Sequence, residues 1–171
     1  MSVLSKLKSA GGCAGGVVVY TAAKEAAEVA NIMRKRRTLW AETRVRMKHF
    51  YPHLHLKRVR FCIKSNLPAN WFQSPGKVAG MTFGYTVFFK GTDIQKSWAG
   101  LELLMHELFH VDQVRRRGDN EARFACDYGE GFLKGGSYIK NPMEAKAYAF
   151  VASHRLPDAL PASLRTLPKK S

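Results

Sequence analysis

The chain has 171 residues, of which 46% are hydrophobic and 24% are charged. This balance is typical of a folded globular protein and excludes a disordered or fibrous chain. Lys and Arg number 28 against 13 Asp and Glu, so the formal net charge is +15. Such an excess favours polyanions or anionic membrane surfaces as neighbours. No zinc-finger spacing and no RNP-like aromatic strand accompanies the charge, which argues against specific nucleic-acid recognition.

The first 23 residues contain basic and small residues but no acidic residue. The apolar run at 10–23 is about 14 residues long, short of the roughly 20 that a helix needs to span a bilayer. An acid-poor, basic start resembles a mitochondrial targeting segment. The alternative is a docking or membrane-peripheral helix.

Residues 21–50 show a helical, strongly charged pattern that Tyr51-Pro52 ends, because proline disfavours helix at the residue before it. Residues 58–64 alternate apolar and polar side chains, which predicts a half-buried strand. Residues 66–76 contain two prolines and predict a loop, and 81–90 predict a second strand.

Three further helices are predicted at 97–116, 121–133 and 142–154, and the proline-containing tail after Leu156 is expected to be extended. The fold class is therefore α+β, with a small, mainly antiparallel sheet packed on helices and a long N-terminal helix before it. We divide the chain into a basic helical extension (1–56), a central domain (57–156) and a tail (157–171).

Cys13, Cys62 and Cys126 are odd in number and widely separated, and no C-x-x-C pair is present. This spacing predicts no disulfide framework, and each cysteine is interpreted as a small apolar filler. A reducing compartment, cytoplasmic or mitochondrial, is the corresponding expectation.

The segment 106–110 reads His-Glu-Leu-Phe-His. Residues four apart lie one turn apart on the same helix face, so the imidazoles of His106 and His110 can reach one metal ion. Glu107 projects beside them, where it can accept a proton from water activated by zinc. The alternative is two histidines on a packed helix whose nitrogens are satisfied by hydrogen bonds.

Glu144 is the best third ligand, since it lies one helix and one turn downstream. The same residue fits a second interpretation, because Asn141, Pro142 and Glu144 also form a capping-box-like helix start. His154 and the His53/His55 pair are rival ligands. Tyr138, Tyr148 and His154 are candidates for stabilising an oxyanion.

Four segments carry a family resemblance: 79–84, 104–113, 128–132 and 141–148. With them, residues 57–153 resemble the gluzincin metallopeptidases, and are similar to the small zincin-like domain of effectors of bacterial extracellular contractile injection systems. The resemblance implies a zincin-like fold with a zinc ion held by His106, His110 and Glu144. It also implies that Glu107 is the base and that the strand at 81–90 pairs with an extended substrate.

The sequence therefore predicts zinc-dependent hydrolysis of a polypeptide substrate, with Glu107 as the general base. The alternative is a catalytically idle zincin-fold subunit of a larger organellar or nucleoprotein assembly, bound through the basic N-terminal helix. A third hypothesis is a peripheral membrane protein anchored through residues 1–23.

Overall fold

The computed structural model describes residues 11–67 and 78–167, and the α+β prediction is confirmed. Part of the predicted 1–23 segment and nearly all of the predicted 66–76 loop lie outside these ranges. The helices are α1 (Gly12–Ala30), α2 (Ala41–Phe50), α3 (Trp98–Arg115), α4 (Glu121–Gly135) and α5 (Pro142–Ser153), and the strands are β1 (Arg60–Cys62), β2 (Gly80–Phe83) and β3 (Thr86–Phe89).

A long N-terminal helix is present, but the prediction of one helix over 21–50 is wrong. The helix α1 begins at Gly12 and ends at Ala30, and α2 starts only at Ala41. Between them Arg37 and Phe61 form an isolated β-bridge, with backbone N–H···O distances of 2.8 and 2.9 Å. The basic run at 34–37 is thus tied to the sheet by its backbone and is not helical.

The sheet has the order β1-β3-β2 and is mixed, which corrects the mainly antiparallel prediction. The strand β1 runs parallel to β3, with Arg60 opposite Thr86, whereas β2 runs antiparallel to it. The predicted single strand at 81–90 is a hairpin of two strands. Gly84 makes the turn with φ +57°, a backbone conformation that favours glycine, and β2 is left at the edge of the sheet.

The main core lies between the sheet, α2 and α3. Leu101, Leu104 and Leu108 on α3 are fully buried, and burying a leucine side chain contributes about 2 kcal/mol. The tail is not simply extended, because a 3₁₀ turn forms at Ala162–Leu164 and Leu160 is buried in the same core. Because α3 is packed into this core, its buried polar residues are held in fixed positions.

The helix α1 packs along α4. Cys13 and Cys126 form a disulfide between the two helices, which corrects the prediction that every cysteine is an unpaired filler. Only Cys62 fits that description, since it is free and buried. The separation of 113 residues hides the pair in the sequence, because only the α1–α4 contact brings the two cysteines together.

None of the helices in the described ranges is both long and apolar enough to cross a membrane.

Candidate metal centre

The helix α3 carries the two histidines. It starts at the N-cap Ser97, whose Oγ accepts a hydrogen bond from the Gly100 amide at 3.0 Å. Its middle turns are buried on several sides, and His106 and His110 are themselves only 6% and 5% exposed. The two Nε2 atoms lie 3.2 Å apart, one helical turn from each other on the same face.

The helix α5 carries Glu144 to these histidines. Asn141 is the N-cap, with its side chain accepting from the Met143 amide at 3.0 Å, and Pro142 is the first helical residue. Because Asn141 already caps the helix, the carboxylate of Glu144 is not needed for capping and points into the protein interior. Its Oε2 lies 3.2 Å from Nε2 of His106 and its Oε1 lies 3.3 Å from Nε2 of His110.

The three side chains fit a divalent cation with nitrogen and oxygen ligands. For zinc bonds of about 2.0–2.1 Å at tetrahedral angles, neighbouring ligand atoms should lie about 3.3 Å apart. The two imidazole nitrogens lie 3.2 Å apart, and each lies 3.2–3.3 Å from a different oxygen of Glu144. One ligand atom from each residue can thus lie within 4.8 Å of the other two. Oε2 of Glu144 is buried and forms no hydrogen bond with any residue of 11–67 or 78–167. A buried carboxylate oxygen without a well-placed donor is costly unless a positive charge lies beside it, supplied by a protonated histidine of the triad or by a metal ion.

Gln113 orients the ring of His110. Its Nε2 donates to the Met143 carbonyl at 3.2 Å, so its Oε1 accepts from Nδ1 of His110 at 2.9 Å. When the His110 ring is neutral, the proton stays on Nδ1 and the lone pair of Nε2 faces His106 and Glu144. Such outer partners fix the tautomer of metal-binding histidines.

Tyr128 on α4 orients Glu144, since its hydroxyl donates to Oε1 at 2.7 Å. Burial raises the pKa of Tyr128 well above its usual value, and the neighbouring Glu144 adds to this, so the hydroxyl keeps its proton. Burial would raise the pKa of Glu144, but His110 and His106 outweigh it and the pKa lies well below its usual range. Glu144 is thus held as a carboxylate.

Glu107 faces the strand β2. Its Oε2 accepts a hydrogen bond of 2.6 Å from Thr82 Oγ1, and the residue is 3% exposed. Burial raises the pKa of Glu107, although His106, His110 and Thr82 oppose the change. The carboxylate is close to the cluster but forms no part of the triad of ligand atoms.

The other residues singled out in the sequence are placed differently. Tyr148 lies against His106, with ring centroids 4.6 Å apart, and Tyr138 lines the same cleft. His154 does not reach the cluster, because it packs on Phe150 and its Nδ1 lies 2.8 Å from that residue's carbonyl oxygen. His53 and His55 are exposed in the turn after α2, also apart from the cluster.

Sequence reasoning missed four supporting residues, Gln113, Tyr128, Thr82 and Gly80. Gln113 had a local signal, since it lies three residues after His110 on the same helix and so shares its face. Tyr128 falls within a segment that carried the resemblance, but its role depends on the packing of α4 against α5. Thr82 and Gly80 come to Glu107 only through the packing of β2 on α3.

Two adjoining cavities border the cluster. An open cleft of about 190 Å³ is bordered by His106, Glu107, Tyr138 and Tyr148, together with residues of β2 and the start of α3. A less open cavity of about 70 Å³ adjoins the cleft, against α1 and α4, and is bordered by Glu107, His110 and Glu144. Glu107 and Tyr138 line both. A ligand in the cleft could therefore contact the triad and Glu107 at once.

Comparison with known protein families gives one match. Residues 38–118 match the family model described as the eCIS core domain, the core domain of extracellular contractile injection systems. The match covers just under half of the chain and includes His106, Glu107 and His110, but it ends before Glu144. It does not include α1, α4 or α5. Neither the curated proteins nor the solved structures provide a further match.

Proposed function

We propose that this protein is a zinc-dependent peptidase of the zincin type, in which His106, His110 and Glu144 hold the ion. The observation that supports this most directly is the convergence of two imidazole nitrogens, 3.2 Å apart, on one carboxylate whose two oxygens lie 3.2 and 3.3 Å from them. Imidazole and carboxylate donors in this number are also the set that catalytic zinc uses, because it keeps a fourth position for water or substrate.

Bound zinc would supply Lewis-acid chemistry, polarising a substrate carbonyl and making water easier to deprotonate. Glu107 would accept the proton of the attacking water on its carboxylate and later pass it to the leaving amine. Thr82 holds that carboxylate in place by its hydrogen bond of 2.6 Å. The raised pKa of Glu107, caused by burial, brings the group nearer the neutral range in which a carboxyl can both take and return a proton.

The open cleft would hold the substrate backbone. The strand β2 lies at the edge of the described sheet and lines the cleft through Gly80, so it can pair with an extended peptide. Tyr138 and Tyr148 border the cleft beside Glu107 and His106. Burial raises the pKa of both tyrosines, so their hydroxyls stay protonated and can donate to a developing oxyanion.

Hydrolysis of an unfolded protein tests the proposal. Full-length protein loaded with zinc should cleave a denatured substrate such as reduced casein, and chelation should stop the reaction. Glu107→Gln should keep the zinc but lose the activity, because the change preserves shape while removing the proton acceptor. Equal, chelator-insensitive cleavage by the wild type and Glu107→Gln would show a contaminating protease. A zinc-loaded wild type without turnover would contradict the peptidase function.

A second candidate function is that of a catalytically idle subunit of a larger assembly. The match to the eCIS core domain links the chain to such assemblies. The positive charge of the chain is also concentrated in one region. Residues 34–60 contain ten Lys and Arg but only one acidic residue. An open groove of about 500 Å³ in this region is rimmed by cationic side chains and floored by Leu54 and Leu56.

Of the four Lys and Arg side chains at the groove, Arg58 already has partners within the protein, so an anionic partner would rely on Arg44, Lys48 and Lys57. The Arg58 guanidinium lies 4.0 Å from the centre of the Tyr85 ring and pairs with Asp119 at 3.0 Å. Charge reversal of Lys48 and Lys57 should abolish assembly, whereas reversal of the exposed Lys134 and Lys146, outside the groove, should not. Stoichiometric incorporation that is equal for the wild type and Glu107→Gln, without turnover by either, would favour this function over hydrolysis.

A further inference from the structure

The end of α1 and the turn that follows it carry a group of exposed apolar side chains. Val29, Ile32 and Met33 are 71%, 78% and 94% exposed, and their spacing of three and four residues places them on one side of a helical turn. Single exposed apolar side chains are common on protein surfaces, but a contiguous group of them marks an interaction site. We call these three side chains the apolar tip.

Hydrogen bonds of the backbone and of one buried side chain hold the tip in place. The Ile32 amide donates to the Val29 carbonyl at 3.3 Å. The Arg34 amide donates to the Asn31 carbonyl at 2.8 Å, so the chain leaves α1 in tight turns. The buried Asn31 side chain donates to the Asn66 carbonyl at 2.9 Å and accepts from the Asn66 amide at 2.8 Å. The tip is therefore exposed although the segment that carries it is ordered.

Cationic side chains follow the tip directly. Residues 31–37 contain four Lys and Arg and no acidic residue. Arg34 and Lys35 form no ion pair with any residue of 11–67 or 78–167. Arg36, in contrast, pairs with Glu28 at 3.5 Å. The apolar tip is thus bordered by cations that an anionic surface could neutralise.

We propose that the apolar tip inserts into an anionic membrane surface, with Arg34 and Lys35 contacting the lipid head groups. Binding of this kind combines burial of apolar side chains at the level of the head groups with attraction of cations to anionic lipids. Three side chains form too small an area for a stable protein interface, which buries about 800 Å² on each partner. A nucleic acid would pair with the cations through its phosphates but would leave the tip in water.

An acidic residue limits the contact to the tip. Glu25 is exposed and lies one turn before Val29 on the same side of α1. An anionic surface repels its carboxylate, so α1 meets the membrane with its end and does not lie along it. This mode of binding differs from an anchor in residues 1–23, and it depends neither on zinc nor on the peptidase function.

Vesicle flotation of the full-length protein tests the proposal. The wild type should bind vesicles made of equal parts of phosphatidylserine and phosphatidylcholine, and should not bind vesicles of phosphatidylcholine alone. Ile32→Ser combined with Met33→Ser should bind about tenfold more weakly, because two apolar side chains no longer leave water on binding. The matched control is Val18→Ser combined with Ile139→Ser, which removes apolar side chains that are 62% and 60% exposed elsewhere. This control should bind like the wild type.

The cations are tested by a second pair of variants. Arg34→Gln combined with Lys35→Gln should weaken binding by about tenfold or more, because each cation near an anionic surface strengthens binding about fivefold. Lys48→Gln combined with Lys57→Gln removes the same charge from the groove beside α2 and should have a smaller effect.

A fluorescent label detects the insertion itself. A dye that responds to polarity, attached to Met33→Cys, should report a less polar environment when anionic vesicles are added, whereas the same dye on Ile139→Cys should not. The introduced thiol is the labelling site, because Cys62 is buried and the disulfide Cys13–Cys126 has no free thiol.

Three outcomes would overturn the proposal. A wild type that does not bind anionic vesicles would leave a protein as the partner of the tip. Equal binding by the wild type and the Ile32 and Met33 variant, with no change in the dye, would show a cationic patch without insertion. Equal weakening by the two charge variants would show attraction by the net charge alone. Because none of these measurements uses turnover, an inactive protein would contradict the peptidase function alone.

Discussion

A β-carbon added to Gly80 would lie 2.5 Å from Oε1 of Glu107. The strand β2 therefore needs glycine at this position to leave room for the carboxylate, while Thr82 two residues later supplies its hydrogen bond. Residues two apart on a strand face the same side. One short strand thus fixes the position of Glu107 in two ways.

We expect Gly80→Ala to retain zinc and lose hydrolysis, because the methyl group displaces Glu107 and leaves the three ligands in place. Misplacing a catalytic group by about 1 Å can cost on the order of a hundredfold in rate. Gly91→Ala is the control, since its nearest neighbour, Ile94 Cδ1, is at an ordinary 3.9 Å. Equal turnover in Gly80→Ala and Gly91→Ala would show that Glu107 tolerates the shift or takes no part in the reaction.

We expect one zinc per chain, lost in His106→Ala and in His110→Ala, because a single histidine on a helix does not hold the ion. His154→Ala is a matched control, since this histidine packs on Phe150 away from the cluster. Metal analysis of protein purified without chelator measures the stoichiometry. Zinc retained at full occupancy after loss of either cluster histidine would place the ion elsewhere.

Glu144→Gln should weaken zinc binding strongly, because a neutral amide replaces a charged ligand 3.2–3.3 Å from both histidines. The capping interpretation makes a different prediction, namely intact zinc content and a loss of about 1 kcal/mol in the free energy of unfolding. Chelator competition and thermal unfolding, performed on the same samples, distinguish the two.

The helix that carries the histidines could be predicted from sequence, because its bounds and the placing of His106 and His110 follow from local periodicity. The inward direction of Glu144 could not. Its position fits a cap as well as a ligand, and only the packing of α5 against α3 decides where its side chain points. The hairpin at Gly84 and the Cys13–Cys126 pair were also missed. Apolar residues at every second position continue from Phe83 past Gly84 to Phe89, as in a single strand, and 113 residues separate the cysteines.

Tyr128→Phe should lower zinc affinity by about 10- to 100-fold while leaving one site per chain, because residues that orient metal ligands have effects of this size. The change removes only the hydroxyl that donates to Glu144 at 2.7 Å. Tyr85→Phe is a control, since that hydroxyl bonds the exposed Asp119 instead. Equal zinc affinities in the two variants would mean that Glu144 does not depend on Tyr128 for its orientation.

Zinc binding should strengthen as the pH rises. Burial alone would lower the pKa of His110, but the Glu144 carboxylate outweighs it and raises the pKa to about 9. In the metal-free protein His110 is then protonated at neutral pH, whereas zinc needs the lone pair of Nε2. Binding therefore releases a proton, and the affinity should rise about tenfold per pH unit up to about pH 9.

The folding stability of the metal-free protein, by contrast, should fall as the pH rises. A pKa raised on folding contributes stability that is fully present below the usual histidine value of about 6.5 and is lost as the pH rises through about 9. Thermal unfolding at pH 6.5 and 9 should thus show a less stable metal-free protein at the higher pH, with His110→Ala insensitive to this change. The pH dependence of the zinc affinity is measured separately, by competition with a chelator at pH 6.5, 7.5 and 8.5, corrected for protonation of the chelator. A zinc affinity that is the same at all three values would mean that His110 is already neutral before the metal binds, and that its contact with Glu144 does not hold a proton.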